Sequence, residues 1–121
     1  ESWLTAIDAA TPVELIIANA GISAGIGGGG ENAKQSRAIF ATNMDGINNT
    51  IQPLLPAMVK RGRGQIALVS SLAGIRGLPS SPAYSASKGW ARIYAEGLRG
   101  WLKQFGVEVS AICPGFIRTP L

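Results

Sequence analysis

The sequence predicts an α/β fold built on a parallel sheet, and three observations carry that prediction. Three apolar runs of strand length, residues 13–18, 65–70 and 107–113, each lead into small or hydroxyl residues: Asn19-Ala20-Gly21, Ser71 and Pro114-Gly115. Two long helical patterns, residues 31–59 and 82–105, separate the runs. Each pattern is long enough to cross between parallel strands, and right-handed crossovers then bring the three carboxyl ends to one edge of the sheet, where open α/β sheets bind ligands.

The elements follow in order. Residues 2–10 read as a helix, with Trp3, Leu4, Ile7 and Ala10 near helical spacing, and Thr11-Pro12 stops it. Residues 13–18 end in a continuous apolar run, the pattern of a strand buried on both faces. Gly25 to Gly30 formally match G-x-G-x-x-G. Any glycine run does so, and the acidic residue expected ~20 positions on at the end of a second strand is missing, since Asp45 falls inside a helical pattern; a surface loop beside the cleft is expected here. Pro53 and Pro56 interrupt the helical pattern of residues 31–59, which predicts a kink or a break and restart. Asn43 lies inside it, where a solvated or locally bonded amide is the ordinary expectation, and Gly46 costs ~1 kcal/mol relative to Ala in a helix. Pro82 suits the start of the last helix and Gly106 its end. On a helical wheel Trp90, Tyr94, Trp101 and Phe105 fall within about 60° of one another, an aromatic stripe expected in the core or a subunit interface.

Composition removes several classes of function. The 121 residues contain no His, which excludes Ser-His-Asp and Cys-His nucleophiles and His-ligated metals, and the seven acids are scattered, so no metal site is expected. Lys60, Arg61 and Arg63 are the nearest thing to a basic cluster in a chain of net charge +4, too little for a nucleic-acid footprint; a solvated helix end is expected. Cys113 is the lone cysteine and reads as a buried inert thiol. No apolar run approaches the ~18 residues of a membrane span, so a soluble, cytoplasmic protein without a membrane partner is expected.

The clearest chemistry lies in residues 71–88. Tyr84 and Lys88 are four apart, so a helix starting at Pro82 puts both on one face. At an effective dielectric of ~20, an ammonium ~4 Å from a phenolate stabilises it by roughly 4 kcal/mol, enough to bring a tyrosine from ~10 towards ~7 and make it a proton donor and acceptor near neutrality. Ser71, at the end of a strand, has a hydroxyl suited to polarising a carbonyl oxygen.

Taken in order, Asn19-Ala20-Gly21, Asn43 inside a helix, Ser70-Ser71-Leu72-Ala73-Gly74, Tyr84-Ser85-Ala86-Ser87-Lys88 and Pro114-Gly115 with Thr119 nearby resemble the classical short-chain dehydrogenase/reductase family across nearly the whole chain. The resemblance implies a three-layer, doubly wound Rossmann-like parallel sheet, of which residues 1–121 would be an incomplete NAD(P)-binding domain, the β-α-β-α-β run of its second half. It implies a hydride transfer between NAD or NADP and an alcohol or ketone. Tyr84 would be the acid in reduction and the base in oxidation, Lys88 would lower its pKa and bond the nicotinamide ribose, Ser71 would hold the substrate oxygen, and Asn43 would complete a proton relay through water. Asn19, Ala20 and Gly21 would lie by the adenosine half of the cofactor, and Pro114, Gly115, Ile117 and Thr119 by the nicotinamide. The full-length parent would be a homo-oligomer, dimer or tetramer.

The family's first strand, its glycine-rich phosphate turn and the residue that selects NAD or NADP have no counterpart in these 121 residues. The chain is therefore expected to be a fragment with two open apolar edges, inactive and aggregation-prone when expressed alone. Two other functions on the same fold are an epimerase-type isomerase and a non-catalytic dinucleotide-binding protein. The wording of the Asn-Ala-Gly and Ser-Ser-x-Ala-Gly motifs argues against the first, and the joint presence of Ser71, Tyr84 and Lys88 against the second.

Overall fold

A computed structural model describes residues 2–24 and 29–118 of the chain. Residues 25–28 of the glycine-rich stretch and Thr119 lie outside the described residues. The elements are α1 (Ser2–Ala10), β1 (Leu15–Ala18), α2 (Ala33–Phe40), a π-helical turn (Ala41–Asp45), α3 (Gly46–Ile51), α4 (Leu55–Arg61), β2 (Gly64–Val69), a 3-10 turn (Leu72–Gly74), α5 (Pro82–Leu102), a second 3-10 turn (Lys103–Phe105) and β3 (Val107–Ile112).

The three strands form one parallel sheet in the order β1-β2-β3. Its register stacks Ile16, Ile66 and Val109 in one row and Ala18, Leu68 and Ala111 in the next, all on the same face. Against that face pack Ile47 and Ile51 of α3, Leu54 and Met58, and Ala91, Ala95, Leu98 and Leu102 of α5. Each fully buried Ile or Leu in this layer contributes about 1.5–3 kcal/mol by leaving water, and the alanines on α5 let the helix approach the strands closely. The other face is different. Leu15 and Ile17 are 50% and 58% exposed and Ile112 46%, so the expectation that residues 13–18 are buried on both faces is not met within the described residues. Two crossovers of the same hand that step the same way along the sheet put their helices on the same face.

Local chemistry sets the boundaries. β1 begins at Leu15 rather than at residue 13 because both backbone groups of Val13 are engaged elsewhere: its N–H donates to Asp8 Oδ1 (2.8 Å) and its carbonyl accepts from Arg61 Nη2 (3.0 Å). The pattern at residues 31–59 divides as the two prolines require. α2 opens on a capping box, Asn32 Oδ1 accepting from the Gln35 N–H and Gln35 Oε1 from the Asn32 N–H. α3 stops at Ile51, and α4 restarts with Pro56 in its first turn and closes at Gly62, which is left-handed at φ 68°. α5 ends at Leu102, three residues before the expected Phe105, because the last turn tightens to 3-10.

The aromatic stripe divides as well. Trp90 and Tyr94 stack at 4.8 Å and, with Phe105, pack against the core, whereas Trp101 is 52% exposed. The Tyr94 hydroxyl donates to Asn48 Oδ1 (3.0 Å) and accepts from Gln52 Nε2 (2.8 Å), tying α5 to α3 and to the residue that follows it. Cys113 is half-buried rather than buried, one residue beyond the end of β3.

The basic cluster is not simply a solvated helix end. Arg61 Nη1 donates to Asp8 Oδ2 at 2.8 Å, so one carboxylate joins the end of α4, the end of α1 and the entrance to β1. The hydrogen bonds from Arg61 and from the Val13 N–H hold the Asp8 carboxyl below its ordinary range. A depressed carboxylate pKa stabilises the fold above the unfolded-state value, near 3.8, and that contribution disappears as the pH falls through the lower folded-state value. Asp8→Asn in the full-length protein is therefore expected to lower the melting temperature by roughly 3–6 °C at pH 7. It should also flatten the loss of stability on acidification below about pH 4. Thermal melts of both proteins between pH 2.5 and 7 check both effects.

Candidate active site

At the carboxyl edge of the sheet, the chain leaves β2 through Ser70 and Ser71. Ser70 is buried; its N–H donates to Ile112 O (2.7 Å), and its Oγ donates to the Lys88 carbonyl at 2.6 Å. The 3-10 turn that follows lies directly on α5. A Cβ at Gly74 would stand 2.6 Å from the Lys88 carbonyl carbon and 2.7 Å from the Gly89 nitrogen, so only glycine allows the two backbones to meet there. This contact sets Ser71 beside the helix that carries Tyr84 and Lys88. Ser71 Oγ accepts from the Ala73 N–H (3.1 Å), which fixes the oxygen and leaves its proton available for donation.

Four residues along α5 do bring Tyr84 and Lys88 to one face. Lys88 is only 5% exposed, unlike an ordinary surface lysine. Its Nζ donates to Val69 O at 2.9 Å and stands 5.8 Å from the centroid of the Tyr84 ring, within the range of a cation–π contact. Burial pushes the Lys88 ammonium below its ordinary pKa. An ammonium has three donors, so after Val69 two remain for a ligand in the cleft that Lys88 lines. Gly21 keeps that cleft open: a Cβ there would lie 3.1 Å from Lys88 Nζ.

Two clefts meet at Ser71 and Tyr84. The smaller, about 330 Å³, is bounded by Asn19, Gly21, Ser70, Lys88 and Pro114, among others. The larger, about 490 Å³, has apolar walls from Leu72, Leu78 and Phe116 and hydroxyls from Ser80 and Ser81. Ser23, Ser71, Tyr84 and Gly115 border both. The smaller cleft joins ammonium and hydroxyl donors to glycine and proline backbone that a flat ring can approach.

The other predicted residues distribute unevenly. Asn19, Gly21, Pro114 and Gly115 border the smaller cleft. Ala20 lies on the α3 side, its Cβ 3.4 Å from where a Cβ of Gly46 would be, and Ile117 is 69% exposed and borders neither cleft. Asn43 is fully buried behind the site, which overturns the expectation of a solvated amide. Its Oδ1 accepts from the Ile22 N–H (2.7 Å), and its Nδ2 donates to Ile22 O (3.0 Å) and Ser87 Oγ (2.9 Å). Three satisfied bonds explain how the amide tolerates burial, and it sits in the π-helical turn, a local widening that recurs at functional sites. Ser87 Oγ in turn donates to the Tyr84 carbonyl at 2.8 Å, so the loop after β1 is linked to the backbone of Tyr84.

Sequence reasoning missed Ser70, Ser87 and Gly89 as parts of this framework. Ser70 and Ser87 stood inside the quoted motifs, but nothing in their spacing says that their hydroxyls face backbone carbonyls rather than the cleft. Gly74→Ala is expected to push the turn off α5 and lower the melting temperature of the full-length protein by roughly 3–8 °C, because the new Cβ would meet backbone that cannot yield cheaply. Thermal melts followed by circular dichroism check this.

Residues 3–121 match the family model described as short chain dehydrogenase. An uncharacterized oxidoreductase of Myxococcus xanthus strain DK1622 is 44% identical over 98% of this chain and 47% of its own length. The crystal structure of an oxidoreductase of the short chain dehydrogenase/reductase family from Burkholderia thailandensis superposes with a TM-score of 0.87 at 31% identity, covering 98% of this chain and 47% of that one. A Beutenbergia cavernae structure with NADP bound at low occupancy gives 0.89 at 25% identity, over 98% and 48%. The chain thus spans about half the length of the relatives it matches.

Proposed function

Because this chain belongs to the short-chain dehydrogenase/reductase family, we propose that the protein carrying it transfers hydride between NAD or NADP and an alcohol or ketone. One observation carries the proposal: Ser71 and Tyr84 stand where a polar cleft holding a buried ammonium meets a cleft with apolar walls. The NADP in the Beutenbergia cavernae relative supports the choice of cofactor. Residues 1–121 then form part of one dinucleotide-binding domain.

A bound nicotinamide supplies or takes the hydride. The remaining work falls to the side chains. In reduction, negative charge develops on the carbonyl oxygen; the Ser71 hydroxyl donates to it and the Tyr84 hydroxyl delivers the proton that makes the alcohol. In oxidation, Tyr84 takes that proton back. Lys88 places its charge 5.8 Å from the centre of the Tyr84 ring and holds the ribose hydroxyls with the donors that Val69 leaves over. Asn43 supports the set from behind, its amide fixing Ile22 and Ser87 around the site, and the proton relay that the family resemblance implies for it would run through water. We assign Asn19, Ala20 and Gly21 to the adenosine half of the cofactor and Pro114, Gly115 and Ile117 to the nicotinamide half; Thr119, assigned with them, lies outside the described residues. The apolar walls favour a substrate with a hydrocarbon portion beside its carbonyl.

A non-catalytic binding protein on this fold fits less well, because a seated Ser71 and Tyr84 with a buried Lys88 supply a proton donor and an oxygen-stabilising hydroxyl that binding alone does not need; against an epimerase speaks the wording of Asn19-Ala20-Gly21 and Ser70-Ser71-Leu72-Ala73-Gly74. Among the described residues no helix is long and apolar enough to cross a membrane; a cytoplasmic location is part of the proposal. Tyr84→Phe in the full-length protein is expected to lower kcat by at least 1,000-fold while changing cofactor affinity less than about threefold. Turnover assays and fluorescence titration with NADPH and NADH check this, and surviving turnover would refute the assignment.

The half-exposed Trp101 and the 61% exposed Ile93 on α5 support a homo-oligomer, dimer or tetramer, as the working form. Analytical ultracentrifugation of the full-length protein should show it, and a strictly monomeric species would count against it.

A further inference from the structure

Glu31 borders neither cleft, yet it meets the first turn of the helix that carries Tyr84 and Lys88. The opening of α5 lacks local caps. Pro82 has no N–H, the side chain of Ser81 makes no capping bond, and the first intrahelical bond runs from the Ser85 N–H to Ser81 O at 2.9 Å. The N–H groups of Ala83 and Tyr84 therefore have no acceptor within the helix. The Glu31 carboxylate takes both, one on each oxygen: Oε2 accepts from Ala83, and Oε1 accepts from Tyr84 at 3.0 Å. A negative charge is favoured at the amino end of a 21-residue helix, and hydrogen bonds to an ionised acceptor are about twice as strong as neutral ones.

Glu31 follows Gly30, which is left-handed at φ 71°, and precedes Asn32, the cap of α2. One side chain thus joins the starts of α2 and α5. Tyr84 is held at both ends of its backbone unit, its N–H by Glu31 and its carbonyl by Ser87, which Asn43 fixes in turn.

We propose that Glu31 is a positioning residue for Tyr84, its carboxylate setting the first turn of α5 so that the phenol lies at the height of Ser71. The proposal rests on the oxidoreductase function above and is tested in the full-length protein with Glu31→Ala, Glu31→Gln and, as a control, Asn32→Ala, which breaks the cap of α2 without touching α5. Glu31→Ala should lower kcat by roughly 10- to 100-fold and leave the KM for the dinucleotide within about threefold. Glu31→Gln keeps one acceptor oxygen and should recover kcat to within about fivefold of the parent, and Asn32→Ala should stay within about threefold. A Glu31→Ala protein with kcat within about threefold of the parent, or an Asn32→Ala protein with an equal loss, overturns the proposal.

Amide hydrogen exchange over the first turn of α5 gives a readout that needs no turnover. Exchange at Ala83 and Tyr84 should rise at least about tenfold in Glu31→Ala, or at one of the two in Glu31→Gln if the alanine variant does not fold, and unchanged protection overturns the proposal. If the parent oxidises or reduces no alcohol or carbonyl, the assigned function fails, and exchange still decides whether Glu31 holds Tyr84.

Discussion

The seat of α5 on the carboxyl end of β2 is the constraint on which the rest of the site depends. Three contacts make it: the Gly74 backbone against Lys88 and Gly89, the Ser70 hydroxyl on the Lys88 carbonyl, and the Lys88 ammonium on the Val69 carbonyl. Each uses backbone on at least one side, and the Gly74 contact uses backbone on both. The cost is the burial of an ammonium, which Lys88 bears with a lowered pKa. A buried cation near a phenol is of little use to folding and marks the pair as a candidate functional site.

From that seat the other parts take their places. The apolar face of the sheet and the alanine-rich side of α5 bring helix and strand close, and the Asn43–Ser87–Tyr84 chain of hydrogen bonds carries the loop after β1 to the same point. The polar groups buried behind the site hold it in one arrangement because each has a partner; Asn43 alone makes three bonds. The two clefts follow from the same placement, one floored by strand ends and Lys88, the other walled by the turn after Ser71 and the residues that follow β3.

Much of this was legible in the residues. Apolar runs ending in small residues marked the strands, Pro53 and Pro56 marked the break between α3 and α4, and the spacing of Tyr84 and Lys88 placed them on one face. Misreadings arose where a side chain's surroundings come from distant sequence. Asn43 read as a solvated amide because nothing near it in the chain shows that Ile22 and Ser87 will satisfy it. Arg61 read as a solvated helix end for the same reason, its partner Asp8 lying 53 positions away. The strand at residues 13–18 read as buried on both faces, and the described residues cover only one.

The sequence by itself determined the order of elements, the parallel sheet and the identities of Ser71, Tyr84 and Lys88, because hydrophobic period, proline and glycine act locally and a four-residue spacing on a helix fixes a face. Only the tertiary structure decided that Lys88 is buried, that Asn43 is a cross-link, that the two clefts meet at Tyr84, and that Glu31 caps the helix bearing it. These depend on contacts between residues about 20 to 50 positions apart in the chain, and such contacts exist only once the crossovers have folded the strands side by side.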